Sequence, residues 1–144
     1  VQVDFYQLAR DPVERVVPLI AAKAIEGGSR VLIVHGDKDT RAVFSEALWA
    51  REAAFLANGE ADAAHAPRQP VLLSGECEAA NGAALALAAD GIWREEFGTF
   101  ARVILLFPPE QTEAARALWT RLGGEGHALR IFKQQEGGSW REGR

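Results

Sequence analysis

The sequence predicts an α/β fold in which one open, mostly parallel sheet of the Rossmann-like kind carries helices on both faces. Three observations lead there. Short, nearly uninterrupted apolar runs, RVLIVHG at 30–36 and RVILLF at 102–107 above all, read as strands covered on both sides. Longer amphipathic segments alternate with them, and that alternation implies parallel pairing through right-handed crossovers. The chain has 144 residues, 48% apolar and 25% charged, with no linker, repeat or low-complexity tract, which suits one globular domain spanning 1–144.

The elements follow in order. Val3–Leu8 forms a first strand, with Phe5 and Tyr6 as good strand residues. Asp11-Pro12 opens a helix, the carboxylate as cap and proline at the first helical position. Val13, Val16, Val17, Ile20, Ala21 and Ala24 follow at helical spacing, and Gly27-Gly28 ends the run. Pro18 lies inside it and should kink the helix or mark a later start. After the strand at 30–36, residues Asp37–Ala50 read as a second helix with Ala42, Val43, Ala47 and Leu48 packed inward. Residues 51–69 lose periodicity and read as a long loop. Pro70–Gly75 is the next strand. Ala83–Ala89 is built of strong helix formers, but its shortness and the turn-like Asn81-Gly82 before it favour a strand. Ile92–Phe100 reads as a short amphipathic helix. The strand 102–107 then ends at Pro108-Pro109, which opens a helix from about Glu110 to Leu122, closed by Gly123-Gly124. Leu129–Lys133 is a last strand, and a polar tail runs on from about residue 134.

Composition narrows the function classes. No apolar run approaches the roughly 20 residues that span a bilayer, and no basic segment precedes an apolar one at the start. The single cysteine, Cys77, has no partner for an internal disulfide, which suits a reducing cytosol, so a cytoplasmic location is expected. The net charge of −4 argues against a dedicated nucleic-acid binder. Its distribution is uneven. Residues 1–115 hold ten Lys/Arg against seventeen Asp/Glu, whereas residues 116–144 hold six against three. A basic end on an acidic body suits either a solvated helix face and tail or a patch for an anionic ligand or acidic peptide.

An open α/β sheet often binds nucleotides, but the residues for that are missing. The first strand-to-helix junction is QLARDPVE and the second is VHGDKDTR. Neither has a GxGxxG pattern, and no GxxxxGK[ST] or GxSxG occurs in the chain. His35, Asp37 and Asp39 stand at the end of a strand, where a metal or acid/base site could form, but Asp37 is more simply a helix cap. His65 and His127 belong to no metal-binding pattern. No catalytic constellation, metal site or cofactor is expected. A nucleotide-dependent enzyme, and a single-stranded nucleic-acid binder stacking bases on Trp119 or Trp140, remain as competing readings.

Several segments together resemble the chi subunit of bacterial DNA polymerase III. They are Phe5-Tyr6-x-Leu8, then Ala47-Leu48-Trp49-Ala50 with Phe55-Leu56, then Arg102–Phe107. Ala115-Arg116-x-x-Trp119 and the ending Lys133-Gln134…Gly138-Ser139-Trp140 complete the set. No one of these is specific by itself; their order and spacing carry the resemblance.

The resemblance implies a non-catalytic accessory subunit of the clamp-loader assembly. Such a subunit pairs with a psi subunit and binds the acidic C-terminal tail of single-stranded-DNA-binding protein. A receptor for that tail needs a cation for the terminal carboxylate, further basic residues and an apolar pocket. By resemblance Phe107 and Trp119 line the pocket and Arg116 meets the carboxylate, with Arg121, Arg130 or Lys133 as the basic rim. Thr112 and Thr120 stand where some relatives have lysines. Without the resemblance, Trp119 reads as a core residue and Arg116 as a surface charge. Trp49 and Phe55 match aromatic positions associated with docking of psi, although Ala57-Asn58 stands where the family commonly has Pro-His.

Overall fold

Strands Val31–Val34 (β2), Val71–Ser74 (β4) and Leu85–Ala88 (β5) are buried at every position, as expected of runs apolar on both faces. They pair in parallel at the centre of the sheet. The computed structural model describes residues 1–50 and 57–143. Gln2–Gln7 (β1) lies between Arg102–Phe107 (β6) and Ala128–Gln134 (β7), parallel to both. Asn58–Glu60 (β3) forms one edge, and Trp140–Glu142 (β8), antiparallel to β7, forms the other. The order across the sheet is β3-β4-β2-β5-β6-β1-β7-β8.

Helices Val13–Glu26 (α1) and Lys38–Trp49 (α2) cover one face of this sheet, and Thr112–Gly124 (α3) covers the other. Alternation along the strands separates two cores. Val3, Phe5, Leu32, Val103, Leu105 and Phe107 face α3, whereas Val31, Ile33, Ile104 and Leu106 face α1 and α2. Ala83–Ala89 contains a strand, as its turn-bounded shortness suggests.

Several expectations need correcting. Pro12, not Asp11, caps α1, because Asp11 turns its carboxylate to the side-chain amide of Gln134 at 2.9 Å. The helix runs through Pro18 without a later start; Val16, Val17, Ala21 and Ala22 are buried on the sheet and outweigh one lost backbone hydrogen bond. Ala42 and Val43 point outward, since α2 buries Phe44 and Leu48, four apart, instead. The segment 92–100 forms only a 3-10 turn at Glu95–Thr99, too short to complete a helix. The expected long loop contains β3, which side chains tie to α2. Ser45 Oγ donates to Asn58 Oδ1 at 2.5 Å, and the Arg41 guanidinium meets Glu60 at 3.0 Å. The tail is not wholly irregular either, because Trp140 carries β8 back over Tyr6, ring centroids 4.7 Å apart.

The β1–α1 connection holds a joint that the sequence gives no hint of. Gln134, buried at the end of β7, accepts three backbone N–H groups with Oε1, from Ala9 at 3.2 Å, Arg10 at 2.9 Å and Asp11 at 3.1 Å. In nucleotide-binding α/β sheets the amides of this junction face phosphate; here a side chain of the same protein collects them.

Candidate peptide-binding site

Register and helix spacing assemble a cavity of about 370 Å³ between α3 and the strands β6, β1 and β7. The strand partners Phe107, Gln7 and Lys133 stand side by side, as do Phe5 and Ile131 one pleat earlier. From α3, residues 112, 115, 116 and 119 share one face and close the other wall. The helix is aimed there by its entry, since Pro108-Pro109 break the strand and Thr112 Oγ1 donates to the Pro109 carbonyl at 2.7 Å. Buried Ala115 and Leu122 then fix α3 on the sheet.

Trp119 is partly buried against the core and also lines the cavity. Its ring packs edge-on to Phe5 at 5.2 Å, and Phe5 in turn meets Phe107 at 6.4 Å, so the cavity has an aromatic floor continuous with the core. Arg116 is exposed at the mouth, and neither it nor Lys133 forms an ion pair among the described residues. An apolar hollow beside two uncommitted cations is the combination that a peptide ending in an apolar residue and a free carboxylate requires.

Phe107, Arg116, Trp119 and Lys133 therefore come together. Arg121 and Arg130 do not line this cavity. Arg121 bonds Glu125 at 3.0 Å and also contacts Glu95, and those carboxylates raise its pKa. Arg130 lies on the opposite face of the sheet, bonded to Asp4 at 2.9 and 3.0 Å with its guanidinium over the Phe132 ring. Period-two alternation in 128–134 could have separated Arg130 from Lys133, which falls on the other parity. Phe5, Gln7, Thr112, Ala115 and Ile131 join the lining. Strand alternation from Phe5 to Gln7 and the helical spacing back from Trp119 were the signals for four of them. Trp49 sits at the end of α2, 44% exposed. Phe55 lies outside the described residues.

Elsewhere the carboxylates at two strand ends are engaged in structure. Asp37 caps α2, accepting the N–H groups of Asp39 and Thr40 and the Thr40 hydroxyl at 2.6 Å; these bonds hold its carboxyl below the usual range. Asp90 accepts from Gly36 N–H and pairs with Arg94 at 2.8 Å. Burial acts to raise the Asp90 pKa, but these contacts outweigh it and the value falls. Burial, with Glu96 nearby, pushes the Cys77 thiol up to about 11, so it stays protonated at neutral pH. Among the described residues no group of three His, Cys, Asp or Glu side chains is placed to hold a metal ion, and no helix is long and apolar enough to cross a membrane.

A search of curated protein sequences finds no match. The family model described as DNA polymerase III chi subunit, HolC, matches residues 1–130, so only the segment carrying most of β7 and β8 falls outside it. With nine-tenths of its length matched in order, this chain belongs to the DNA polymerase III chi subunit family and so to the accessory subunits of that polymerase.

Proposed function

We propose that the chain is a non-catalytic adaptor of the cytoplasmic replication machinery. It links the clamp-loader assembly to single-stranded-DNA-binding protein by holding that protein's acidic C-terminal tail. The observation that carries this reading is the cavity under α3, where Arg116 and Lys133 flank an apolar hollow walled by Trp119, Phe5 and Phe107. The terminal carboxylate pairs with Arg116, the last apolar side chain enters beside Trp119, and upstream acidic residues meet Lys133. A psi-like subunit docks on the other side of the molecule. Exposed Val43 and Trp49 on α2 support an apolar interface there.

Fluorescence anisotropy with a labelled acidic peptide ending in an apolar residue tests the tail site. A charge-assisted contact contributes about 1.5–3 kcal/mol, so Arg116→Ala should weaken binding about tenfold or more. Thermal stability should barely change, because Arg116 is exposed and unpaired. Amidating the peptide's C-terminus should cause a similar loss with the unaltered protein, and added salt should weaken binding by screening. If both the variant and the amidated peptide bind as tightly as the originals, the site is misplaced.

A further inference from the structure

The face opposite α3 holds a second trough, of about 420 Å³, where the sheet continues past α1. No helix among the described residues covers β1, β7 and β8 there; instead the rings of Tyr6, Phe132 and Trp140 lie side by side, with centroids 5.0 and 4.7 Å apart. The trough runs between this row and α1. Tyr6, Ile104 and Trp140 form floor and wall, and Leu19, 52% exposed, lines the helix side. Lys23 and Arg102 stand at its rim.

The charges here favour an anionic occupant. Arg102 and Arg130 share one carboxylate, the solvent-inaccessible Asp4, and Glu142 acts on Arg130, so the positive charge the trough itself offers is that of Lys23 beside Arg102. Arg102 bonds Asp4 through Nε and Nη2 and also hydrogen-bonds the Tyr6 side chain, which fixes its guanidinium at the edge of the trough. Lys23 forms no ion pair among the described residues. Asp11, the carboxylate in the lining, is already engaged by Gln134 at 2.9 Å and Arg15 at 3.6 Å. Glu142 is exposed beyond Phe132 and acts on Arg130 rather than on the trough.

The components repeat those of the first cavity. There a tryptophan packed on a β1 aromatic (Trp119 on Phe5) borders a hollow flanked by an arginine and a lysine; here Trp140 on Tyr6 does so, with Arg102 and Lys23. We propose that this trough is a second receptor for an acidic peptide with an apolar end and a free carboxylate, so that one chain holds two such tails, one on each face of the sheet. The identity of the tail rests on the function proposed above. A partner that presents several tails would then be held by both faces at once, and the second contact would gain from effective concentration.

The indole N–H signals of Trp119 and Trp140 report the two sites separately in NMR spectra of the full chain titrated with the acidic peptide, assigned through Trp119→Phe and Trp140→Phe. Both signals should shift, each with its own saturation curve. Arg116→Ala should weaken the Trp119 response about tenfold and leave that of Trp140 in place; Lys23→Glu should do the reverse, since it replaces a rim cation by an anion. If Trp119 responds and Trp140 stays silent, or Trp140 responds but ignores Lys23→Glu, the second site is refuted while the first stands. If neither signal moves, both readings fail. Oligo(dT) is the control; a Trp140 shift at lower concentration with oligo(dT) than with the peptide would make this a nucleic-acid face and overturn the proposal.

Discussion

Asp4→Asn probes the joint between β1, β6 and β7. The Asp4 side chain is solvent-inaccessible and receives Arg102 from β6 at 2.6 and 2.7 Å, Arg130 from β7 at 2.9 and 3.0 Å, and Gln2 at 2.8 Å. Two charge-assisted partners would contribute about 3–6 kcal/mol if each acted independently. Their side chains are 40% and 43% exposed, however, so water takes over part of what they lose, and a buried amide costs less to desolvate than a carboxylate. A net loss of about 2–3 kcal/mol follows, or roughly 6–12 °C in Tm for a domain of this size. Burial acts to raise the Asp4 pKa, but the bonds from Arg130, Gln2 and Arg102 outweigh it and bring it below the ordinary 3.8. A carboxyl depressed in the folded state stabilises fully above its unfolded value and loses that contribution as pH falls through the folded value. Urea unfolding of both proteins should therefore show a constant gap near neutral pH that closes only in acid below the ordinary carboxylate range. A gap under about 0.5 kcal/mol at neutral pH, or one unchanged in strong acid, would refute the argument.

Gln134→Ala leaves three backbone amides of the β1–α1 connection without their acceptor, and a loss of about 2–4 kcal/mol is expected in urea unfolding. Hydrogen exchange should quicken first at residues 9–11. Gly91 has φ +73°, and a Cβ there would meet Gln111 Oε1 at 2.6 Å and the Leu106 carbonyl at 3.1 Å, so Gly91→Ala should lower Tm by several degrees. Cys77 is buried with its thiol pushed up to about 11; at about pH 8 it should react with a thiol reagent only as the protein unfolds, at least tenfold more slowly than in denaturant.

The sequence revealed the central strands because burial on both faces leaves little choice of residue, as VLIV and RVILLF show. It concealed the edges. Asn58-Gly59-Glu60 is a poor strand by propensity and is held by Ser45, Arg41 and β4, contacts distant enough to leave no local pattern. Trp140–Glu142 is equally short and polar. Within the cavity, helix spacing put Arg116 and Trp119 on one face, but only the family resemblance, not local sequence, pointed to them and to Phe107 as a pocket. Of the expected rim, only Lys133 reaches the cavity, since the destinations of Arg121 and Arg130 depend on carboxylates at Glu95 and Asp4, which are 26 and 126 residues away.

The position of β1 has a consequence for the order in which the protein can be made. Both of its neighbours, β6 and β7, come from the last third of the chain. During synthesis β1 emerges before either of them, and it finds no hydrogen-bonding partner among the described strands until residues beyond 101 have left the ribosome. The β2, β4 and β5 group can pair earlier, because its strands lie closer together in sequence. Residues 2–7, with Phe5 and Tyr6, would thus remain an open apolar edge until β6 emerges, the stage at which such segments are most exposed to aggregation. The cavity under α3, which takes one wall from β1 and another from β7, would form only after both ends of this fold had emerged.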